Sequence, residues 1–124
     1  MVERRITDGK RIAGLLASEI DGREDGSLAL LSLADADPDV VPTTEGAFAY
    51  RIERDHEPFA DVFVQPDRIR IEFRAAPDRA ASAAREVGLR VRPKAVEPPR
   101  TLVFVESGAA VKRATDVLSA VVTP

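Results

Sequence analysis

The amino-acid sequence predicts an α+β fold, with a single mixed or antiparallel sheet around a β-meander and about three helices packed mainly on one face. Three strand-like segments follow one another through short turns between residues 47 and 74, as in an antiparallel meander. Segments with helical periodicity stand before and after them. With 124 residues, 44% of them hydrophobic, the chain is expected to form one α+β domain over residues 1–124.

The first helix is predicted after Thr7 and Asp8, whose side-chain oxygens can accept hydrogen bonds from the first turn. A stripe of apolar residues with helical spacing follows, formed by Ile12, Leu15, Leu16 and Ile20. Gly22 is expected to end this helix. The apolar run at residues 27–33 can form a strand or more helix, and we favour a strand. Residues 34–46 are rich in turn formers and predict a loop.

The meander is predicted to comprise strands at residues 47–54, 59–65 and 68–74. The first strand would place Phe48, Tyr50 and Ile52 on one face. The third shows the clearest alternation, because apolar residues at 69, 71 and 73 alternate with charged ones. Those charged residues are Arg68, Arg70, Glu72 and Arg74.

The C-terminal part predicts a second helix that begins at Pro77 and Asp78 and stops at Gly88, with alanines on its inner side that indicate close packing. A short strand at residues 89–92 and an extended, proline-stiffened connector at 93–100 are expected next. Residues 101–106 are apolar on both faces, which indicates a central strand. Ser107 is expected to cap a last helix whose inner face carries Val111, Ala114, Leu118 and Val121.

Positive charge is concentrated in residues 68–100, where nine cations face four acids, whereas nine cations face seventeen acids elsewhere. Clustered arginine attracts phosphate and carboxylate groups, so this band predicts an anion-binding or nucleic-acid-binding site. The predicted binding residues are Arg68, Arg70, Arg74, Arg90, Arg92, Lys94 and Arg100. If strands 68–74 and 89–92 are neighbours, their arginine rows lie side by side.

Phe59 and Phe63 could add stacking surfaces to this band, if they lie on the same face. The alternative is that the arginines pair with Asp and Glu of the same fold, or that a helix covers the face and the two phenylalanines belong to the core. Alternating charges on strand faces often serve solubility alone, and this alternative is the commoner arrangement.

Two further clusters of cations stand near predicted helix starts, where free N–H groups favour anions. A secondary anion site is predicted at the last helix, from Ser107, Gly108, Lys112 and Arg113. The other cluster consists of Arg4, Arg5, Lys10 and Arg11. A plain serine cap and a solvated terminus are the simpler interpretations of these two clusters.

The sequence predicts no catalytic residue, no metal site and no cofactor. Cysteine is absent and His56 is the only histidine, which excludes Cys–His chemistry and multi-histidine metal sites. The Asp35-x-Asp37-x-Asp39 pattern resembles the opening of a calcium loop, but Val40 and Gly46 stand where that loop needs Gly and Glu. A paired-carboxylate mechanism stays open, although nothing marks a pair, so an enzyme is the less favoured reading.

A cytoplasmic protein without a membrane partner is expected, because the N-terminus lacks the apolar stretch of a signal peptide and no apolar run approaches about 20 residues. Arginine outnumbers lysine fifteen to three, asparagine is absent and aspartate is frequent. This usage fits a GC-rich genome and suggests a salt-adapted, halophilic cytoplasm.

Three segments carry a resemblance that covers nearly the whole chain: TDGKRIAGLLASEIDGRE, VFVQPDRIRIEFRAAPD and GLRVRPKAVEPPRTLVFVESGAAVKR. They look like a family of small, uncharacterised haloarchaeal proteins. The resemblance implies a haloarchaeal origin and brings no activity, cofactor or catalytic residue. The element order of residues 7–88 also resembles a double-stranded-RNA-binding domain, but residues 77–81 lack the lysines that such a domain uses and the run at 27–33 is extra.

These observations leave three functional hypotheses. The first is a non-enzymatic binding module that uses the arginine band to engage RNA or DNA. The second is a protein-interaction or self-association module, whose basic part docks an acidic surface. The third is a ligand binder or enzyme near residues 107–113.

Overall fold

The computed structural model of the chain describes residues 7–22 and 26–123. The helices are α1 (Gly9–Asp21), α2 (Pro77–Glu86) and α3 (Val111–Val122), with a short 3-10 helix at Ser27–Leu30. The strands are β1 (Leu31–Ala34), β2 (Ala47–Arg54), β3 (Glu57–Gln65), β4 (Arg68–Phe73), β5 (Arg90–Lys94) and β6 (Arg100–Val105). They form one antiparallel sheet in the order β1-β2-β3-β4-β6-β5, which confirms the predicted α+β class.

The helices cover one face of this sheet. The Tyr50 hydroxyl donates a hydrogen bond to the Ala13 carbonyl of α1, and the Thr101 hydroxyl donates one to the Pro77 carbonyl of α2. Tyr50 and Thr101 belong to the same alternating set of side chains across the paired strands, so α1 and α2 lie on the same side. Helix α3 packs against both of them. We call the opposite face, which carries Arg70, Leu102 and Phe104 among others, the open face.

The hydrophobic core lies between the sheet and the helices. Strand β4 contributes Ile69, Ile71 and Phe73, all fully buried, as its alternation predicts. Helix α1 contributes three members of its predicted stripe, whereas Leu15 is only half-buried. The four predicted inner residues of α3 are buried as well. The Asp8 carboxylate accepts a hydrogen bond from the Arg11 amide, which confirms the predicted cap of α1.

Strand β2 differs from its prediction because of a register shift. Phe48 lies opposite Phe63, but Tyr50 lies opposite Val62, so one residue of β2 is inserted between the two pairs. The bulge puts Phe48 against Phe63 with ring centroids 5.9 Å apart, while Tyr50 and Ile52 enter the core. The predicted single face for all three side chains is therefore wrong.

Two segments differ in part from the secondary structure that the sequence predicts. Residues 27–33 form the short 3-10 helix and only then enter β1, so the predicted strand is correct in its second half alone. Strand β5 extends to Lys94 and joins β6 through a turn at residues 95–99, where we predicted an extended connector. Strand β6 lies inside the sheet between β4 and β5, as its two apolar faces predict.

Replacing Tyr50 by Phe should lower the free energy of unfolding by about 1 kcal/mol, because the lost hydrogen bond to Ala13 is buried and 2.8 Å long.

Burial raises the pKa of Tyr50 far above its ordinary value, and the nearby Asp21 carboxylate raises it further. The native state is thus destabilised as pH rises above about 10, where the unfolded tyrosine ionises. Urea unfolding at neutral and alkaline pH should show a smaller alkaline loss for the variant than for the natural chain; equal losses would contradict this account.

Among the residues described, no helix combines the length and apolar character needed to cross a membrane.

Candidate anion-binding site

The seven cations of the predicted binding band lie on the open face or at its margin, but not in the predicted arrangement. Strands β4 and β5 are separated by β6, so the two arginine rows are not neighbours and that expectation is wrong. Arg70 of β4 lies opposite Phe104 of β6, which in turn lies opposite Arg90 of β5. The band therefore consists of one cationic row along β4 and one along β5, and β6, which carries Arg100 at its start, lies between them.

A groove of about 450 Å³ follows β6. Its lining includes the half-buried Leu102 and Phe104, which project from β6 to the open face between the two rows. Arg70 stands on the β4 side, and Arg92 and Lys94 stand on the β5 side. The lining also includes the carboxylates of Glu45 and Glu72, so three cations face two acids in the groove. An apolar, partly aromatic surface between positive rows offers both a stacking surface and phosphate-binding groups.

Glu72 holds the centre of the open face and is only 1% exposed. Its carboxylate accepts hydrogen bonds from Arg70 at 2.9 Å, Lys94 at 3.1 Å and Arg100 at 3.2 Å. Burial raises the pKa of Glu72, but the hydrogen bonds and positive charges of Arg70 and Lys94 outweigh burial, so its pKa lies below the ordinary value. Glu72 is therefore a buried anion that fixes three cations from three different strands.

Asp61 of β3 is the second buried carboxylate and also has three cationic partners. Arg51 approaches it at 3.4 Å, Arg100 at 3.3 Å and Arg74 at 3.6 Å, the last beyond hydrogen-bond distance. Arg100 thus bridges Asp61 and Glu72 through one guanidinium nitrogen. The two carboxylates and their partners form one continuous network across β2, β3, β4, β6 and β5.

Internal pairing leaves this network with a surplus of positive charge. Five cations surround two buried carboxylates, which leaves three positive charges, and the exposed Asp35 offsets one of them at Arg51. A buried carboxylate with three cations holds them in place without neutralising them all. The alternative interpretation of the band, internal ion pairing, is therefore correct as geometry but does not cancel its charge.

The remaining cations of the band differ in how fully they are paired. Glu106 accepts hydrogen bonds from Arg68 at 2.9 Å and from Arg90 at 3.2 Å, and it links β4 with β5 above β6. The hydrogen bond from Arg68 also lowers the pKa of the adjacent Asp67. Arg92 is exposed and pairs with no carboxylate of the described residues within 4 Å. Arg92 is consequently the cation of the band that is most available to a partner.

Arg70 is held by a stacking contact and a close turn. Its guanidinium lies 4.6 Å from the centroid of the Phe63 ring and donates a hydrogen bond of 2.6 Å to the Glu45 carbonyl. Gly46, at φ 97°, allows this approach, because a Cβ there would collide with the Arg70 guanidinium. Phe63 is thus covered by Arg70. Phe104, the aromatic ring that lines the groove, has the more exposed Arg90 guanidinium 5.6 Å from its centroid.

Phe59 does not belong to this site. It is buried and packs edge-on against Phe73, with ring centroids 6.1 Å apart. The hypothesis that Phe59 adds a stacking surface is therefore wrong, and its assignment to the core is confirmed.

The secondary cluster at the start of α3 is more closed than its sequence suggests. Ser107 is buried and its hydroxyl accepts a hydrogen bond from the Ala110 amide in a turn that precedes the helix. Arg113 donates to the Val87 carbonyl at 3.4 Å, while Lys112 is exposed and Gly108 half-buried. Anion binding at this cluster stays a prediction.

The other candidates are placed as follows. Lys10 and Arg11 are exposed at the start of α1, whereas Arg4 and Arg5 lie outside the described residues. His56 is exposed in the β2–β3 turn. Across the described part of the chain, no three side chains of His, Cys, Asp or Glu are grouped so that they could hold a metal ion.

Sequence reasoning missed the two buried carboxylates and the residues between the rows. Asp61 lies 39 residues from Arg100, and Glu72 lies 22 residues from Lys94, so only the strand order reveals these pairs. The one available signal was the acid at position 72, in the middle of an otherwise basic strand face. The sequence showed Leu102 and Phe104 as the second apolar face of β6, but an apolar face predicts a buried surface rather than a groove.

The model of a family of unknown function, DUF7993, matches residues 1–124, and the chain belongs to this family. No curated protein and no solved structure matches the sequence.

Proposed function

We propose that the open face is a binding surface for an anionic partner, that single-stranded RNA or DNA is the class it fits best, and that the protein is a binding module rather than an enzyme. The observation that carries this proposal is the groove over β6, where Leu102 and Phe104 lie between rows of cations. Nucleobases stack on such a surface, and the phosphates that flank them are drawn to the rows on either side.

The dimensions of the groove favour a single strand over a duplex. Neighbouring strands lie about 4.8 Å apart, so the rows on β4 and β5 are separated by roughly 10 Å, which is the width of one nucleotide chain. A duplex is read by a helix or ribbon that enters its groove. On the open face, by contrast, the cations surround a concave strip, and the three helices lie on the other side of the sheet.

The ion-pair network supports binding because it orders the cations. Lys94 and Arg100 are held by Glu72 and Asp61, so less conformational entropy is lost when they meet a phosphate. The network retains net positive charge, and Arg92 stands beside the groove without a carboxylate partner among the described residues. The charges are thus arranged before the partner arrives.

The amino-acid usage supports a place for this binding in a salt-adapted cytoplasm of haloarchaeal type. Fifteen arginines to three lysines provide planar, bidentate donors, which keep directional contacts when salt screens long-range attraction. In concentrated electrolyte, counterion release drives little binding. Stacking on Phe104 and direct hydrogen bonds would then carry most of the affinity.

Binding of oligonucleotides of about 12 nucleotides, followed by fluorescence anisotropy over a salt series, tests this proposal. We expect single-stranded RNA or DNA to bind more tightly than a duplex of the same sequence. Absence of binding at low and at molar salt would refute the proposal. Sedimentation then tests the alternative that the basic face docks an acidic protein surface or a second copy, which predicts a stable complex that buries Arg92.

Replacing Arg92 by Gln should weaken binding of the single strand several-fold and reduce the slope of log affinity against log salt by about 0.7, the loss of one phosphate contact. The Arg85→Gln variant is the matched control, because it makes the same charge change on an exposed residue of α2, on the other side of the sheet and outside the predicted binding residues. Equal losses in the two variants would show that net charge, rather than the groove, governs binding.

A further inference from the structure

A separate cavity of about 200 Å³ lies where the open face meets the turn of the β5–β6 hairpin. Three cations line it: Arg74, Lys94 and Arg100. The remaining lining comes from the turn, with Val96, Glu97, Pro98 and Pro99. Lys94 also lines the groove over β6, so the cavity adjoins one end of that groove.

The cations of this cavity are positioned by buried acids. Lys94 and Arg100 reach Glu72, and Arg100 and Arg74 reach Asp61. These carboxylates are buried and are not among the residues that line the cavity, so the side that faces a ligand is cationic except for the exposed Glu97. The lining therefore carries three positive charges against one negative charge.

Most hydrogen-bond donors of these three cations are not used within the described residues. Arg100 makes both of its carboxylate contacts through Nη1, which leaves Nε and Nη2 available. Lys94 directs one of its three donors to Glu72, and Arg74 stands 3.6 Å from Asp61, beyond hydrogen-bond distance. Fixed cations with spare donors are what a compact, multiply charged oxyanion requires.

We propose that this cavity is a subsite for a phosphomonoester dianion, and that the strand bound in the groove is one that ends in a terminal phosphate. The inference rests on the proposed function and names its substrate more closely. A terminal phosphate carries close to two negative charges and three strong acceptor oxygens, whereas a phosphodiester inside a chain carries one charge. The turn at 95–99 forms one wall of the cavity, which suits the end of a chain better than a continuous strand.

Binding of one oligonucleotide with a phosphate or a hydroxyl at its 5′ end, and in a second pair at its 3′ end, tests the subsite. We expect about tenfold tighter binding of the phosphorylated form for one of the two ends, the effect of a single charge-assisted hydrogen bond. Inorganic phosphate should compete with that preference and shift the amide NMR signals of residues 94–97 and of Arg100. Equal affinity of phosphate and hydroxyl forms at both ends would overturn the subsite while leaving the groove intact.

Two variants separate the subsite from the groove. Arg74→Gln should abolish the preference for the phosphorylated end, and its loose ion pair and 36% side-chain exposure make it a mild change for the fold. Arg92→Gln should weaken both forms equally and leave their ratio unchanged. If Arg74→Gln retains the preference, the subsite is refuted.

The subsite and the proposed function can fail independently. If no oligonucleotide binds, but inorganic phosphate and a nucleoside monophosphate shift the signals of residues 94–97 and of Arg100 in the natural chain and not in Arg74→Gln, strand binding is wrong and the dianion site stands. If single strands bind regardless of their ends, strand binding stands and the dianion site is wrong.

Discussion

Replacing Gly9 by alanine should lower the free energy of unfolding by about 3 kcal/mol, a large part of the stability of a domain of this size. Gly9 is the first residue of α1 and is buried against the turn between β3 and β4. A Cβ at this position would collide with the Gln65 carbonyl oxygen and stand 2.6 Å from that of Arg68. Both obstacles are backbone atoms of paired strands, so they cannot rotate away as a side chain would.

The same contact ties the helix to the sheet. The Gly9 amide donates a hydrogen bond of 3.1 Å to the Pro66 carbonyl, and an alanine must lengthen or break it in order to escape the collision. Because the β3–β4 turn leads directly into Arg68, displacement of α1 should also disturb that end of the open face.

The matched control lies one and a half turns further along α1. A Cβ added at Gly14 would meet no atom within 4 Å, so Gly14→Ala should raise the free energy of unfolding by about 0.5–1 kcal/mol through the higher helix propensity of alanine. Urea unfolding of the two variants measures the difference. If Gly9→Ala unfolds at the same urea concentration as the natural chain, the close packing of Gly9 against the β3–β4 turn is contradicted.

Elements whose signal is local could be predicted from the sequence. The alternation of β4 places Ile69, Ile71 and Phe73 in the core without reference to any other segment, because the period of a strand alone assigns its faces. The Asp8 cap and the stripe of α1 are equally local. Short turns between strands likewise implied antiparallel neighbours, which sufficed for the fold class.

Features that depend on pairing between distant strands could not be predicted. The bulge in β2 moves Phe48 to the open face because the register between β2 and β3 shifts after Phe48. No residue type in β2 indicates this shift. The insertion of β6 between β4 and β5 follows from a hairpin, where the prolines of residues 93–100 had predicted an extended connector. Pro93 is tolerated because β5 is an edge strand, where a missing N–H group can face solvent.

In the candidate site, too, local features could be predicted from the sequence and long-range pairings could not. The cations of the band stand close together in the sequence and are recognisable by their density. The acids that hold them are recognisable only in three dimensions, because Asp61 and Glu72 meet Arg100 across the sheet. Sequence reasoning therefore identified the charges and left open whether they are exposed or paired; the structure shows cations that are paired and in surplus at once.

Replacing Glu72 by Gln should lower the free energy of unfolding by about 3 kcal/mol at neutral pH, because three cations lose their shared buried anion. The value lies at the low end for a broken buried pair, since the cations are partly exposed and water can solvate them. Glu86→Gln, an exposed acid of α2 with the same charge change, is the control and should be nearly neutral. Urea unfolding measures both.

Acid removes the same interaction in the natural chain. The folded-state pKa of Glu72 lies below the unfolded value of about 4.3, so its stabilising contribution is complete above that pH and is lost as pH falls through the lower folded-state pKa. The stability difference between the natural chain and Glu72→Gln should therefore shrink under acid. A difference that stays constant down to low pH would show that the ionised carboxylate is not its source.

The same substitution should weaken oligonucleotide binding several-fold as well as the fold, because Arg70, Lys94 and Arg100 lose the buried carboxylate that orders them before the partner arrives. Stability and affinity moving in opposite directions would show that Glu72 competes with the ligand for Arg70, Lys94 and Arg100. Affinity is measured by anisotropy without urea, at a temperature where the variant is folded. A loss of both stability and affinity would show instead that positioning the cations matters more than their charge. In that case the carboxylate acts as part of the binding site, and the ion pairs that first argued against a function for the band would be the reason it binds.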